Sequence, residues 1–516
     1  RPNLPMKKPA KIGLWLLGLA VLALLGLWLE HERAKARLEA FKAQLIAKGE
    51  KLAVADHVPK LPAALSNAVP DFIAAANRLT ELKFEWQPSR MRMVAPGRAR
   101  VAWQQRELPT EKEPDLWPFI IAHVEDNRPL LAEMTAALEK PEMVFNLDYT
   151  KGFNLLLPHL AKMKQAAVCL NNASLLDLHH GEKDSALANL LASIRLVRVN
   201  EEPLIISQLV RVAVGQIAAQ GTWELIQHSG WSEAQLAQMQ HAWQESDTTR
   251  GWLAAIQMER ALGTFAFAEY RGNWSKFREL LETVGSGSGS SSSTPFFELL
   301  WDNPSEAAGQ AGQLCVLVGW SLWFSYADER RTLETQQVWT DCFRQASAAT
   351  NFAPAQTRMV AGLKTLENPP MTMLFSRTVL GSLDRTPAKF ATFEATRRLT
   401  FTAIALHRHR LKHGKFPESL GALVPEFLTE VPRDFMDGQP LRYKLQPDGQ
   451  FLLWSVGEDF KDDGGDPTPA TPPGVNEALQ WLKGKDWVWP QPASEAEVAA
   501  YHAELEAKRA ATPPKP

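Results

Sequence analysis

The sequence predicts a mainly α protein: an N-terminal transmembrane helix, a large helical domain and a small C-terminal α+β module. Three observations carry this. Ile12–Leu29 holds no charged residue. From Asp115 to about Leu281 the apolar residues recur at helical spacing. From His413 to Asp466 that spacing gives way to a glycine stop, a proline turn, an alternating pair of strands and an acidic glycine loop.

The bulk numbers set bounds. A chain of 516 residues is too long for one core. Its formal net charge of -2 gives no basic footprint, which argues against a nucleic-acid partner. Three cysteines, Cys169, Cys315 and Cys342, are too few and too scattered for a disulfide framework or a zinc site. Tryptophan outnumbers tyrosine, 18 to 5. Trp15 and Trp28 fall near the ends of the apolar run, where indole favours the membrane interface. The other tryptophans scatter, as core residues do.

Taken in order, residues 1–30 form the anchor. Met6 with Lys7, Lys8 and Lys11 reads as the chain's start. Ile12–Leu29 makes about 27 Å of helix, close to the hydrocarbon thickness. Leu27-Trp28-Leu29 places bulky residues where a signal-peptide cleavage site needs small ones. The helical pattern then continues, with Leu38, Phe41, Leu45 and Leu52 on one stripe, so an uncleaved single span is expected. Lys7, Lys8 and Lys11 favour a cytoplasmic N-terminus, while Arg33, Lys35, Arg37 and Lys42 pull the other way.

Residues 31–386 read as the helical domain. Pro59, Pro62 and Pro70 break its first part. Met91, Met93, Val101 and Trp103 alternate around Pro96-Gly97, which predicts a small hairpin. Asn171–Val199 reads as two helices meeting at Gly181, an antiparallel pair of the kind tetratricopeptide repeats use. The 34-residue period does not recur, so no repeat array is predicted. Pro203 opens a helix apolar on nearly every side, and therefore central. Gly285–Thr294, GSGSGSSSST, is a flexible loop by composition. Leu314–Tyr326 is strongly apolar but too short to span, and is expected as a buried core helix. Residues 387–413 form a long amphipathic helix that opens the module, 387–490. A C-terminal helix and tail, 491–516, follows.

Inside the module, Gly414 supplies a left-handed helix stop and Pro417 ends the helix. Leu420, Leu423 and Phe427 form one apolar stripe that must pack back on it. Leu441, Tyr443 and Leu445 alternate with polar residues, and Pro447-Asp448-Gly449 closes a hairpin. The loop Glu458–Asp466 holds five acids and one lysine.

This order, with His413-Gly414-Lys415-Phe416-Pro417, then Leu420, Leu423, Val424 and Pro425, then Val431-Pro432-Arg433-Asp434, Gly438, Pro440 and Tyr443, resembles the head domain of the major pseudopilin of type II secretion. Phe435 stands where that family has proline. The resemblance covers roughly residues 387–466. It implies a structural calcium ion in the acidic loop, with Asp459, Asp462, Asp463 and Asp466 as ligands. Calcium needs six or more hard oxygens, which carboxylates and carbonyls on a glycine-rich turn supply. The loop is not an EF-hand: Lys461 and Ala470 occupy positions that motif gives to ligands. The pseudopilin start, Phe-Thr-Leu-Ile-Glu after a glycine cleavage site, does not surround Ile12, so assembly into a pilus is not implied. The whole-chain architecture looks like that of membrane-anchored proteins of planctomycete and verrucomicrobial bacteria.

Enzyme signals are weak. His407 and His409 are two apart on a helix and point away from each other. His409 and His413 are one turn apart but lack an intervening glutamate, and a basic solvated face is expected there. His179-His180 sits in a turn. No phosphate loop, nucleophile elbow or dinucleotide fingerprint occurs. The expectation is a non-enzymatic, membrane-anchored envelope protein at the inner membrane with its bulk periplasmic. Its role would be structural or protein-interacting, and the resemblance implies a link to a secretion-type assembly. Two alternatives stand: a helical protein-binding module whose tail is a stabilising cap, and a hydrolase whose site is assembled from distant residues.

Overall fold

The computed structural model describes residues 8–80, 91–273, 276, 318–370, 372–373, 375–377, 385–469 and 480–511. The Gly285–Thr294 loop, Cys315 and the first part of the Leu314–Tyr326 segment lie outside them. The described chain is mostly helical, with two small three-stranded sheets.

The first helix, α1 (Lys8–Ala47), is unbroken. From Trp15 on it is the one described helix long and apolar enough to cross a membrane. Trp15–Leu29 lie almost wholly exposed. Beyond them a stripe turns inward: Leu27, His31, Ala34, Leu38, Phe41 and Leu45 are half-buried or buried. Steps of four and three keep that stripe facing one neighbour. The neighbour is α9 (Ser325–Ala349). His31 meets Tyr326, Lys42 meets Glu329, and Glu50 just past the helix meets Gln337 and Arg344. Both chains climb together, so the two helices run parallel.

A short α2 (Val69–Ala76) follows, with Pro70 in its first turn. Pro70 therefore opens a helix where the sequence reading made it a break, because a first-turn residue has no intrahelical N–H bond to lose. The predicted hairpin is present. Strand β1 (Arg92–Ala95) pairs antiparallel with β2 (Arg98–Arg100), and Gly97 takes the positive φ of the turn.

Five helices build the centre: α3 (Trp117–Leu138), α4 (Pro158–His179), α5 (Lys183–Val199), α6 (Ile205–Ile226) and α7 (Glu233–Gln244). The α4–α5 pair turns at Gly181, whose φ is +81°. Its crossing is close because Ala173 and Ala186 are fully buried and Ser174 donates to the Ala186 carbonyl at 2.7 Å. Helix α6 crosses α4 at Gly221, where an added Cβ would lie 2.0 Å from Asn171 Oδ1. Helix α8 (Thr249–Gly272) packs along α9. Helix α10 (Ala353–Lys364) folds back on α9.

The long helix α11 (Thr386–His413) differs from its sequence reading. It is buried along most of its length, against α6 and α7 as well as the C-terminal segments. Its charges misled the pattern, since Glu394, Arg397 and Arg398 are themselves buried and pair with each other. Arg397 also donates to the Trp243 carbonyl at 3.0 Å and Arg398 to that of Arg433 at 2.9 Å. Internal pairing is what lets charged side chains occupy a core.

After Gly414, with φ +76°, a single 3-10 turn spans Leu420–Leu423. Strands β3 (Arg442–Leu445) and β4 (Phe451–Ser455) form the second hairpin, and β5 (Trp487–Val488) pairs with β4. Strand β6 (Gln491–Pro492) leaves that sheet and lies parallel to β2. Trp223 reinforces the link by donating to the Pro490 carbonyl at 2.8 Å. Helix α12 (Glu495–Ala511) closes the chain against β1. Seven tryptophans are among the largest fully buried side chains, in keeping with the core role expected of them.

Candidate functional site

The acidic loop begins where β4 ends. Gly457, Gly464 and Gly465 all adopt positive φ, which lets the chain fold back on the sheet. Its carboxylates do not converge. Asp459 accepts from the Lys461 amide at 3.0 Å, an ordinary local turn. Asp462 accepts from the Trp454 indole at 2.9 Å and the Gly464 amide at 3.0 Å, and faces Arg442 Nε at 3.4 Å. Burial opposes ionisation of Asp462, but these three donors outweigh it and hold its pKa below the usual range. Asp466 accepts from Lys485 at 2.8 Å and from Thr468, and these hold it down at about 2. Asp463 contributes its backbone N–H to Asp486. Among the described residues no three His, Cys, Asp or Glu side chains are grouped as a metal requires.

What organises the loop is a pair of buried aspartates that the sequence reading did not single out. Asp434 is fully buried and accepts from the Met436 amide, the Ser455 hydroxyl and the Val456 amide at 2.8–3.0 Å. It thereby ties the turn before β3 to the end of β4. Burial still raises its pKa. Arg442 spans Asp434, Asp437 and Asp462. Asp486 is also fully buried and accepts from the amides of Gly465 and Asp466 at 2.8 and 3.2 Å. Its Oδ1 has no hydrogen-bond partner among the described residues. The signal for Asp434 was its place in the Val-Pro-Arg-Asp turn. Asp486 gave none, because twenty residues separate it from the loop it supports.

As it stands, the loop fits calcium poorly. Arg442 and Lys485 already neutralise Asp462 and Asp466. Among the described residues around the loop, the Oδ1 of Asp486 is a buried oxygen without a hydrogen-bond partner, and such an atom is costly to leave unpaired.

The histidines of α11 correct the sequence reading. His407 and His409 are buried, not on a solvated face. His407 sits edge-on to Phe416 and Phe451, beside Arg410. Burial, then Arg410, lowers its pKa to about 3, so it is neutral at pH 7. His409 Nδ1 lies 2.9 Å from the Lys415 carbonyl, and its ring is 4.4 Å from that of His413. His179 stacks on Trp117 at 4.1 Å, with Nδ1 2.7 Å from the Trp103 carbonyl.

A separate cavity of about 330 Å³ opens between the end of α5, the loop leading to α6 and the chain around Phe145, lined by Pro59, Phe145, Tyr149, Arg198 and Glu202 among others. Glu202 lies 3.0 Å from His159 Nε2 and accepts from the Ser207 hydroxyl. The Tyr149 hydroxyl is buried, and its pKa is raised by burial and by Glu202. Catalysis by a serine nucleophile needs an accessible oxygen beside a base. Ser207 is fully buried behind Glu202, so this group reads as a buried polar cluster facing a hollow. Sequence reasoning missed it because its members are separated by loops. No family model, no curated protein and no solved structure matches this chain.

Proposed function

We propose that the chain is a single-pass protein of the inner membrane whose body stands on the periplasmic side. There it serves a structural or protein-interaction role in an envelope assembly of secretion type. One observation carries the reading: α1 runs from an exposed apolar half straight into a half that the body buries. A helix built this way is both a span and a wall of the folded body, with no turn at Trp28-Leu29 to mark a cut. The order of long helix, 3-10 turn, hairpin and acidic loop supports the pseudopilin-like part of the proposal. Calcium at Asp459, Asp462, Asp463 and Asp466 belongs to it too. The Asp486 orphan favours the ion, while Arg442 and Lys485 oppose it.

Mass spectrometry of the membrane-extracted chain tests the anchor, and protease added to spheroplasts tests the side. The expected result is an N-terminal peptide near Met6 and a body digested from outside. A soluble form starting after Leu29, or a body protected until the membrane is opened, overturns the proposal.

A further inference from the structure

The parallel docking of α1 and α9 fixes where the segment before α9 lies. His31 and Tyr326 meet edge-to-face, with ring centroids 5.0 Å apart. Lys35, one turn further along α1, places its ammonium 6.0 Å from the same Tyr326 ring. Because the helices run parallel, residues before Tyr326 descend beside residues before His31. Those are Leu27 and its neighbours, inside the uncharged run.

The descending segment is a π-helical stretch, Trp320–Phe324, that joins α9 without a break. It packs against α1. Leu322 lies four residues before Tyr326, about 6 Å further down at helical rise. That is the level of Leu27, which is half-buried while the residues around it on the span are exposed.

The segment has two faces. Trp320 is fully buried, donates to Asp328 at 2.8 Å and packs on Phe267 and Phe375. Leu322 is 52% exposed, a large apolar side chain about half open to its surroundings at this depth. Above it the chemistry changes at once. Lys35 is exposed, and Arg271 lies over the Tyr326 ring at 4.2 Å. Apolar and aromatic groups below, cations one turn above, is the ordering of a bilayer interface.

We infer that Trp320–Phe324 is a second membrane-embedded element, which enters the body-side leaflet beside α1 and turns Leu322 to lipid. The inference rests on the anchor reading above. It departs from the expectation that this segment is wholly shielded by protein. The occupant of the exposed face is the bilayer itself, because that face continues the lipid-facing surface of the span.

Spin labels on single cysteines test it, in the full chain reconstituted into phospholipid nanodiscs. Cys315 is replaced by serine, and the buried Cys169 and Cys342 are left in place. Labels go at Leu22→Cys on the span, Leu322→Cys, and Val360→Cys on the exposed side of α10. Collision with oxygen, which prefers lipid, is compared with collision with a water-soluble nickel chelate. The expected result is that Leu322 matches Leu22 and both shift toward oxygen relative to Val360. If Leu22 reads lipid while Leu322 reads water like Val360, the inference falls and the anchor stands. If Leu22 itself reads water, both fall. All three residues are exposed, so each label is tolerated, and circular dichroism of the variants checks this.

Discussion

Glu50 lies 2.8 Å from Arg260, and the guanidinium it meets is fully buried. The carboxylate stands just beyond α1 and also reaches Arg344 at 2.8 Å and Gln337 at 3.2 Å. Burial opposes the charge on Glu50, but Arg260 and Arg344 outweigh it and hold its pKa below the usual range. This cluster joins the end of α1 to α8 and α9. Glu50→Ala leaves Arg260 buried without its counter-ion. The expected loss is about 3–5 kcal/mol, as for other broken buried pairs. A chemical-denaturation midpoint in detergent reads it, and an unmoved midpoint would show the pair to be idle.

Gly215 decides the crossing of α6 and α11. An added Cβ there would lie 2.2 Å from Phe393, a fully buried ring. Alanine gains up to about 1 kcal/mol over glycine in a helix interior. Overpacking a filled core costs about 1–3 kcal/mol. The second term wins, so Gly215→Ala is expected to lower the melting temperature, and Gly215→Ala with Phe393→Leu to recover part of the loss. A stabilised single variant would contradict the close crossing.

His407 makes stability depend on pH. Its folded pKa is about 3, below the ordinary 6.5. Between those values the unfolded chain binds a proton that the folded chain does not. Stability is therefore fully present above pH 6.5 and is lost as pH falls toward 3, at up to about 1.4 kcal/mol per pH unit. Urea midpoints at pH 7 and pH 5 are expected to differ in that direction. His407→Leu removes the titrating ring and keeps an apolar side chain against Phe416 and Phe451. It is expected to flatten the difference, and an identical slope in the variant would assign the effect to other groups.

Calcium has its own measurement. Binding requires Asp462 to exchange Arg442 for the ion, and the orphaned Oδ1 of Asp486 to find a partner. The proposal expects the full chain to melt higher in millimolar calcium than in chelator, by mass action. Asp459→Ala and Asp463→Ala each remove most of the difference. Asp448→Ala, in the hairpin turn, does not. Superimposed melting curves would mean that Arg442 and Lys485 close the loop unaided.

Much of this was legible because it is local. Gly414 stops α11 where a glycine three residues ahead of a proline says it must, and Gly97 and Gly449 turn the two hairpins that alternation predicts. The helical run from Asp115 onward is read from spacing alone. What escaped is non-local. Glu224 accepts from the amides of Met91 and Ala102 at 3.0 and 2.9 Å, and no pattern in α6 marks it as a cap for the distant hairpin. The charges of α11 resembled a solvated face because their partners, Glu394 with Arg397 and Arg398, neutralise one another within one turn. Leu322 looked like core, yet it is half exposed, because composition reports how apolar a segment is and not which of its faces is covered. At the acidic loop the sequence showed the exposed carboxylates and hid Asp486, which arrives from just before the next strand.

The parallel pairing of Arg98 with Gln491 sets a timetable. Strand β2 leaves the ribosome long before its partner. Until Gln491 appears, β2 has only β1 beside it, and Trp223 lacks the Pro490 carbonyl. A nascent chain can collapse its central helices by itself, but it cannot fasten the outer edge of β2 before Gln491 has been made. Arrested chains cut before Trp487 are therefore expected to yield a protease-sensitive hairpin around Gly97, and chains extended past Ala511 a resistant one. Strand β6 then acts as a late fastener, since β2 gains its outer partner only once Gln491 has been made.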